Sequence, residues 1–322
     1  MKIYGFIFAT GLLFLGFLGL CQGADRYPSR PIELVIPFAP GGNPDLGTRA
    51  YVDELAKVLK VPVTAVNRAG ATGVLGTKYV VGKKDGYTLL ATSDTPLVIM
   101  PVISKEVTYD PLRDFIPLGH FGYVASVFAV RSDSPFKTLS DLVEYAKKNP
   151  GKLKNAAGGV GTESYFNLQL LLHREKIKIT TVPFESGGEA LPPLLGGHVD
   201  MSSNTIASLG PHLKAGTLRA LAITSRKRNP EFPNIPTTAE VGCPEASLVV
   251  WQALFAPAGV PKEVVNVMVP AVENTFKNPD VVARATKTNI TVDYMGPAEI
   301  RKLIESGLKT VRTLARETEM VK

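Results

Sequence analysis

A strand-like segment, a glycine-rich loop and a helix-like segment follow one another repeatedly along this chain, and this alternation limits the possible folds most strongly. Ile32–Ile36 is rich in branched apolar residues and is bounded by prolines, which is typical of a buried strand. A Gly-Gly loop follows, and Asp45 opens a segment with helical apolar spacing. Segments of both kinds then alternate as far as Thr92. The order βαβαβ predicts an α/β fold with a mostly parallel sheet, whose ligand sites lie at the carboxyl ends of the strands.

The middle of the chain carries a second set of elements. Strands are expected at residues 126–130, 179–182 and 218–223, and Thr138 is expected to cap a helix. A chain of 322 residues is too long for one typical core and suits two domains. We expect a signal peptide at residues 1–23. Lobe 1 would be formed by residues 24–125 and 249–322, and lobe 2 by the intervening residues 126–248. The chain would cross between lobes near residues 124–127 and 248–251.

The N-terminal segment predicts export. Lys2 precedes an uncharged run of Phe, Leu and Gly, followed by the small residues Cys21 and Gly23. This is the pattern of a signal peptide, with cleavage near Gly23 or Ala24. Two alternatives stay open. One is a membrane anchor, for which the run is short, and the other is a lipid on Cys21, for which the bulky Leu20 beside it is a poor fit.

Composition and motifs argue against several classes of function. The net charge of +7 is scattered along the chain, and no zinc finger or RNA-binding motif occurs, so we expect no nucleic-acid partner. There is no P-loop, HExxH, Cys-x-x-Cys or Gly-x-Ser-x-Gly sequence, and the four histidines lack the spacing of metal ligands. Cys243 lies in a turn-like segment with no histidine nearby. We therefore expect no catalysis, metal or cofactor, although an α/β enzyme is the alternative because glycine loops also serve catalysis.

Glycine pairs are the clearest candidate binding elements. They begin at Gly41, Gly158, Gly187 and Gly196, and three of them stand between an expected strand and an expected helix. The start of a helix has unpaired backbone N–H groups and a partial positive charge, so it can hold a carboxylate without a cationic side chain. For any single pair, ordinary turn chemistry is the more common explanation. Several such loops at one cleft would indicate an anion site.

Short phrases in a fixed order are the most specific feature of the sequence. They are PFAPGG at 37–42 with Asp45 and Arg49, VNR at 66–68 with Gly70 and Gly73, DGYTLL at 85–90, GGHVD at 196–200, KAGTLRALA at 214–222, PNIPTTAE at 233–240 and APAG at 256–259. Together they resemble the Bug family, the solute-binding proteins of tripartite tricarboxylate transporters. The resemblance implies a monomeric periplasmic receptor of Venus-flytrap type, similar to type II binding proteins, with two α/β lobes. It also implies that a small organic carboxylate is passed to the membrane components of such a transporter.

The resemblance further implies that backbone groups and ordered water from both lobes hold the carboxylate. In the first lobe the implied site residues are Phe38, Ala39, Pro40, Gly41, Gly42, Asp45, Thr92, Ser93 and Thr95. In the second lobe they are Ala157, Gly158, Gly159, Gly161, Thr162, Phe184, Gly187, Asn204 and Thr205. We expect Asp45 to cap its helix and order the loop, and Arg49, one helical turn later, to pair with Asp45.

The chain departs from the family pattern around these loops. Pro44 replaces a threonine, Ala157 and Gly158 replace serines, Tyr165 replaces a histidine, Phe184-Glu185 replaces a Tyr-Lys pair and Asn204 replaces an aspartate. These changes remove several polar groups, so our hypothesis is an aromatic or alkyl carboxylate in place of citrate. Glu163 and Glu185 point instead to a ligand with an amino group. A ligand sensor for a signalling partner is a further alternative.

Overall fold

A computed structural model describes residues 27–157, 161–184, 187–225 and 227–317. The strands are β1 (Ile32–Ile36), β2 (Val63–Asn67), β3 (Thr88–Ser93), β4 (Phe115–Val124), β5 (Ser126–Arg131), β6 (Lys154–Ala157), β7 (Thr180–Pro183), β8 (Met201–Thr205), β9 (Leu218–Ile223), β10 (Val250–Pro257) and β11 (Thr291–Met295). The helices are α1 (Asn43–Leu59), α2 (Val74–Val81), α3 (Met100–Ile103), α4 (Leu139–Lys148), α5 (Glu163–Glu175), α6 (Gly187–Leu195), α7 (Ile206–Lys214), α8 (Lys262–Phe276), α9 (Pro279–Lys287) and α10 (Pro297–Glu317). The expected signal peptide lies outside the described residues. Within them, no helix has the length and apolar character needed to cross a membrane.

The described strands form two sheets, one in each lobe. The first sheet has the order β11-β4-β10-β3-β1-β2, and the second has the order β7-β6-β8-β5-β9. Helices α1, α8 and α10 pack against strands of the first sheet, and α5, α6 and α7 pack against strands of the second. This arrangement confirms the predicted α/β class and the two lobes.

The direction of the strands differs from the prediction, because each sheet is mixed and not mostly parallel. In the first sheet β1 is parallel to β2 and β3, whereas β10 is antiparallel to β3 and β4. In the second sheet β6 is parallel to β7 and β8, whereas β5 is antiparallel to β8 and β9. Parallel neighbours need a long crossover connection. The βαβ units provide such crossovers. The strands next to the connections between the sheets, β5 and β10, are antiparallel to their neighbours instead.

The two connections between the sheets lie side by side. Strand β4 ends at Val124 in the first sheet, and β5 begins at Ser126 in the second, so that only Ala125 separates them. The chain returns to the first sheet in β10, where Val250 pairs with Val124. The predicted strand near residues 248–251 therefore begins later and extends to Pro257. We keep the lobe limits at residues 125 and 248 as a proposal.

Candidate functional site

In the first lobe, the expected site residues meet where parallel strands end. Strand β1 leads into the loop at residues 37–42, and its parallel neighbour β3 ends at Thr92 and Ser93, both of which are buried. Gly73 lies between the two segments and allows them to approach closely, because a β-carbon there would lie only 3.1 Å from Phe38 Cζ and 3.2 Å from Pro96 Cγ. The loop after β1 and the turn that begins at Thr95 are therefore neighbours.

A hydrogen-bonded network centred on Asp45 holds the loop after β1. Its carboxylate accepts one hydrogen bond from the Gly41 backbone N–H at 2.9 Å and others from Arg49 Nε and Asn67 Nδ2, both at 2.9 Å. Asn67 Nδ2 also donates to Phe38 O at 3.0 Å, and Arg49 donates to Asn67 Oδ1 at 2.9 Å. The expected pairing of Asp45 with Arg49 is confirmed. The network fixes both ends of the loop.

Asp45 is charged in this setting although it is buried. Burial alone would raise the pKa of its carboxyl, but the hydrogen bonds from Arg49, the Gly41 N–H and Asn67 outweigh it and hold the pKa below its ordinary value. A buried carboxylate with this many donors is a structural anchor. The Arg49 guanidinium is bound to Asp45 and Asn67, so it is already engaged within the network.

Helix α1 begins two residues earlier than the sequence indicates. Its first residue is Asn43, and Gly42 occupies the N-cap position without a side-chain cap. Asp45 is therefore the third helical residue, and its carboxylate turns back to the loop instead of capping the helix from outside. No side chain caps the start of α1, and Pro44 has no N–H, so the backbone N–H groups suited to an anion there are those of Asn43 and Asp45. Gly41, with φ of 82°, permits the left-handed turn there.

In the second lobe, the expected residues again meet at the ends of parallel strands. Ala157 ends β6, and its carbonyl accepts a hydrogen bond from the Phe184 N–H at 2.9 Å. Asn204, near the end of β8, donates to Gly187 O at 2.8 Å and accepts from the Thr205 N–H at 2.8 Å. The first contact joins β6 to the segment after β7, and the second joins β8 to the start of α6. Gly158 and Gly159 lie outside the described residues.

The loop that precedes α5 contacts the first lobe. Thr162 is the N-cap of α5, and its hydroxyl accepts from the Tyr165 N–H at 3.3 Å. Gly161 has φ of 93°, and a β-carbon there would lie 3.3 Å from Ile103 Cδ1 in the first lobe. Helix α3, which contains Ile103, follows the turn after β3. The second-lobe loop therefore lies against α3 of the first lobe.

Two residues that hold the site were not singled out from the sequence as part of it. Asn67 binds both Asp45 and the loop carbonyl of Phe38. Gln252 in β10 donates from Nε2 to Asn43 O at 3.0 Å, and thus holds the start of α1. Asn67 ends β2, the parallel neighbour of β1, so its position at a strand end was a usable signal. The position of Gln252 carried no such signal in the sequence, because Gln252 is 209 residues from Asn43.

The described residues give little support to a catalytic reading. Cys243 is buried, and burial raises the pKa of its thiol, which disfavours the reactive thiolate. His120 is also buried and hydrogen-bonds through Nδ1 to Asp293 O at 2.5 Å. Burial lowers the pKa of His120, so its imidazole is a neutral structural group. No cluster of three metal-ligating side chains occurs within the described ranges.

Two α/β lobes joined by adjacent connections, with uncapped or glycine-flanked helix starts on both, define a two-lobe solute-binding protein. The sequence profile of the "tripartite tricarboxylate transporter family receptor" matches residues 48–320. The protein BugT of Bordetella pertussis is 31% identical over 310 residues, which are 95% of each chain. This chain belongs to the tripartite tricarboxylate transporter receptor family.

Solved structures agree with this assignment. MatC of Rhodopseudomonas palustris, solved with bound malate, is 29% identical with a TM-score of 0.74, over 89% of this chain and 99% of MatC. A second R. palustris protein, solved with adipate, is 25% identical with a TM-score of 0.78, over 90% of this chain and 97% of that one. The resemblance to the Bug family is thus confirmed.

Proposed function

We propose that this protein is exported to the periplasm, captures a small organic carboxylate between its lobes and passes it to the membrane components of a tripartite tricarboxylate-type transporter. The observation that carries this proposal is the loop after β1, which Asp45 and Asn67 hold at the uncapped start of α1. An anchored loop beside free helical N–H groups is ready for an anion without further ordering. Two similar proteins were solved with malate and with adipate, which are small organic carboxylates.

We place the ligand among the residues that the resemblance implies, at the strand ends of both lobes. Backbone donors favour a carboxylate of low charge, since each further carboxylate needs its own partner. The described cation beside the first-lobe loop, Arg49, is already bound to Asp45 and Asn67. Phe38 and Phe184 are half-buried aromatic side chains of the two loops. These features support an aromatic or alkyl carboxylate over citrate.

The protein acts in this proposal as a monomeric receptor without a reaction of its own. Support comes from the receptor family and from the inert settings of Cys243 and His120. A role as a sensor would use the same site, because lobe closure around a ligand can be read by any membrane partner. Transport and sensing differ in the partner and not in the ligand.

A thermal-shift screen of the chain from residue 24 tests the ligand class. Benzoate, adipate, malate and citrate are the probes. A ligand at about 100 times its Kd stabilises the folded state by about 2.7 kcal/mol and so raises Tm. We expect benzoate or adipate to raise Tm and citrate to leave it unchanged. A Tm shift with citrate alone would contradict the hypothesis of a ligand of low charge. The absence of a Tm shift with any carboxylate would contradict the proposed function.

A matched pair of variants tests the loop mechanism. Gly161→Val places a branched side chain at a left-handed backbone position beside Ile103, whereas Gly82→Ala lies in open space with an ordinary φ of −81°. We expect Gly161→Val to abolish the Tm shift with the ligand found above, and Gly82→Ala to retain it. Retained binding in both variants would show that the loop before α5 does not hold the ligand. N-terminal sequencing of exported protein separately tests cleavage after Gly23 or Ala24.

A further inference from the structure

Two buried carboxyl groups, one from each lobe, lie where the lobes meet. Asp94 follows β3 of the first sheet and is 5% exposed, and Glu163 begins α5 of the second lobe and is 1% exposed. Phe166, in the same turn of α5 as Glu163, packs in one apolar cluster with Val98, which lies in the turn after Asp94. Among the described residues, neither carboxyl forms a salt bridge. A pair of buried acids without a cation is costly when both are charged.

The contacts of the two carboxyls show how they are fixed. Glu163 Oε1 accepts from Asn167 Nδ2 at 2.9 Å. Asn167 in turn binds the backbone of Leu248, from Nδ2 to O at 2.8 Å and from Leu248 N to Oδ1 at 2.9 Å. Glu163 is thus tied to the segment that leads back to the first sheet. Asp94 Oδ1 is buried and has no hydrogen-bond partner among the described residues.

The pair is the opposite of Asp45, whose charge is fully compensated. Burial raises the pKa of Asp94 to about 8, although the backbone N–H groups of Asp94 and Thr95 act in the other direction. Burial, and next the neighbouring Asp94, raise the pKa of Glu163 well above its ordinary value, against the contacts with Ser126 and Asn167. The geometry therefore favours retention of protons by the pair in this arrangement of the lobes.

The charged surroundings do not supply a counter-ion. Asp94 lines an interlobe cavity of about 1280 Å³. The other ionisable residues of this cavity are His173 and Arg174 of α5, Lys227 and Glu245 between β9 and β10, His120 and Tyr123 of β4, Asp293 and Tyr294 of β11, and Glu299, Lys302 and Lys309 of α10. Arg174 is bound to Glu245 at 2.7 Å. None of these cations forms an ion pair with Asp94 within the described ranges. Glu163 faces Ser126, Asn167 and Asp94, of which only Asp94 is ionisable.

We propose that Asp94 and Glu163 are a proton-binding pair that couples closure of the lobes to proton uptake and thereby tunes the affinity of the carboxylate site. The proposal rests on the proposed function, because the site that closes is the carboxylate site. Glu163 lies in the first turn of α5, so its negative charge would offset the positive end of that helix. When Glu163 is protonated, the partial positive charge at the start of α5 is no longer offset and can stabilise the anionic ligand.

The sign of the pH dependence follows from linkage. The proposal requires that water reaches both carboxyls when the lobes separate, so that they ionise nearer their ordinary pKa, whereas in contact the protonated form is favoured. The closed state therefore binds more protons than the open one. The ratio of closed to open protein falls by about tenfold per pH unit, per proton taken up, as pH rises from about 4 to about 8. Acid favours closure and alkali favours opening.

Small-angle scattering of the ligand-free chain from residue 24, between about pH 5 and about pH 8, tests this directly. We expect the radius of gyration of the wild type to increase with pH. The double variant Glu163→Gln/Asp94→Asn should stay compact across the range, since both amides are neutral and Gln keeps an acceptor for Asn167. Each single variant should depend on pH less than the wild type, because one buried carboxyl remains. Glu144→Gln on the exposed face of α4 is the control and should behave as the wild type.

The scattering experiment needs no ligand, so its result is separate from that of the carboxylate screen. Two results would overturn the proton-binding pair even if carboxylates bind. One is a wild-type radius of gyration that does not depend on pH. The other is a pH dependence in Glu163→Gln and Asp94→Asn equal to that of the wild type. Thermal unfolding gives a second readout that does not depend on lobe opening. The Tm of the wild type should fall relative to that of either amide variant from about pH 5 to about pH 8, and parallel Tm profiles would contradict the pair.

Discussion

The carboxylate of Asp45 accepts a hydrogen bond from the backbone N–H of Gly41 at 2.9 Å, so the first turn of α1 holds the loop that precedes it. This contact spans four residues along the chain and needs no partner from elsewhere. The Arg49 and Asn67 side chains then fix the same carboxylate from the helix and from β2. The shape of the loop is therefore set before any ligand arrives.

Asp45→Asn is expected to lower the free energy of unfolding by about 1–3 kcal/mol, because one buried acceptor is lost and the charge that binds Arg49 is removed. Urea denaturation at neutral pH measures this change. The lowered pKa of Asp45 stabilises the fold above the ordinary carboxyl pKa, and that contribution is lost as pH falls through the folded-state value. The gap between wild type and variant should thus narrow below about pH 4. Asp53→Asn, on the exposed side of α1, is the control and should change little.

Neighbouring glycines in the first-lobe loop should respond differently to alanine. Gly41 has φ of 82°, so Gly41→Ala forces a left-handed conformation and should cost about 1–2 kcal/mol. Gly42 has φ of −72°, and a β-carbon there would lie 3.4 Å from Ala39 O, an ordinary contact. Gly42→Ala should change stability by less than about 0.5 kcal/mol. Equal losses of Tm in the two variants would contradict the loop conformation described above.

Gly47 lies against Gln252, and this contact predicts a coupled pair of variants. A β-carbon at Gly47 would lie 1.8 Å from Gln252 Oε1, so Gly47→Ala must displace a side chain that holds Asn43 O. We expect a loss of about 1–3 kcal/mol from overpacking. In a Gln252→Ala background the same substitution should cost much less. A double-mutant cycle by urea denaturation measures the coupling, and additive losses would argue against this contact.

Asn204 is expected to require its amide. Its Nδ2 donates to Gly187 O and its Oδ1 accepts from the Thr205 N–H, so Asn204→Asp keeps the acceptor but places a carboxylate against a carbonyl. The variant should lose about 1–3 kcal/mol of stability. It should also bind the carboxylate more weakly, because it adds a negative charge at the proposed ligand site. Thermal unfolding and calorimetry measure the two effects. Asn234→Asp, on an exposed loop, is the control, and equal behaviour of both variants would refute this role.

Local patterns predicted the parts of the fold that local forces determine. Strand β1 occurs at the residues expected, and Thr138 forms the expected capping box with Asp141 of α4. The i,i+4 pair of Asp45 and Arg49 is local as well. In each case the partners are within a few residues of one another, so their spacing alone carries the information.

The rest depends on contacts between distant segments. Strand β8 has the sequence Met-Ser-Ser-Asn-Thr, which lacks apolar alternation, yet Ser202 Oγ donates to Ala156 O at 2.9 Å and is fully buried between neighbouring strands. Polar strands of this kind are invisible to a hydrophobic pattern. The antiparallel direction of β10 and the contact of Gln252 with Asn43 likewise follow from the return of the chain to the first sheet.

The pairing of Val124 with Val250 brings the two interlobe connections into one short ladder. Two adjacent strands bend together about an axis across them, but they resist separate twisting or sliding because their hydrogen bonds would break. For a receptor that opens and closes as proposed, this pairing would limit the relative movement of the lobes to nearly a single degree of freedom. In the proposed closure, this pivot would bring the loop after β1 and the loop before α5 to the same relative position each time, so that the geometry of the pivot would contribute to selectivity together with the two loops.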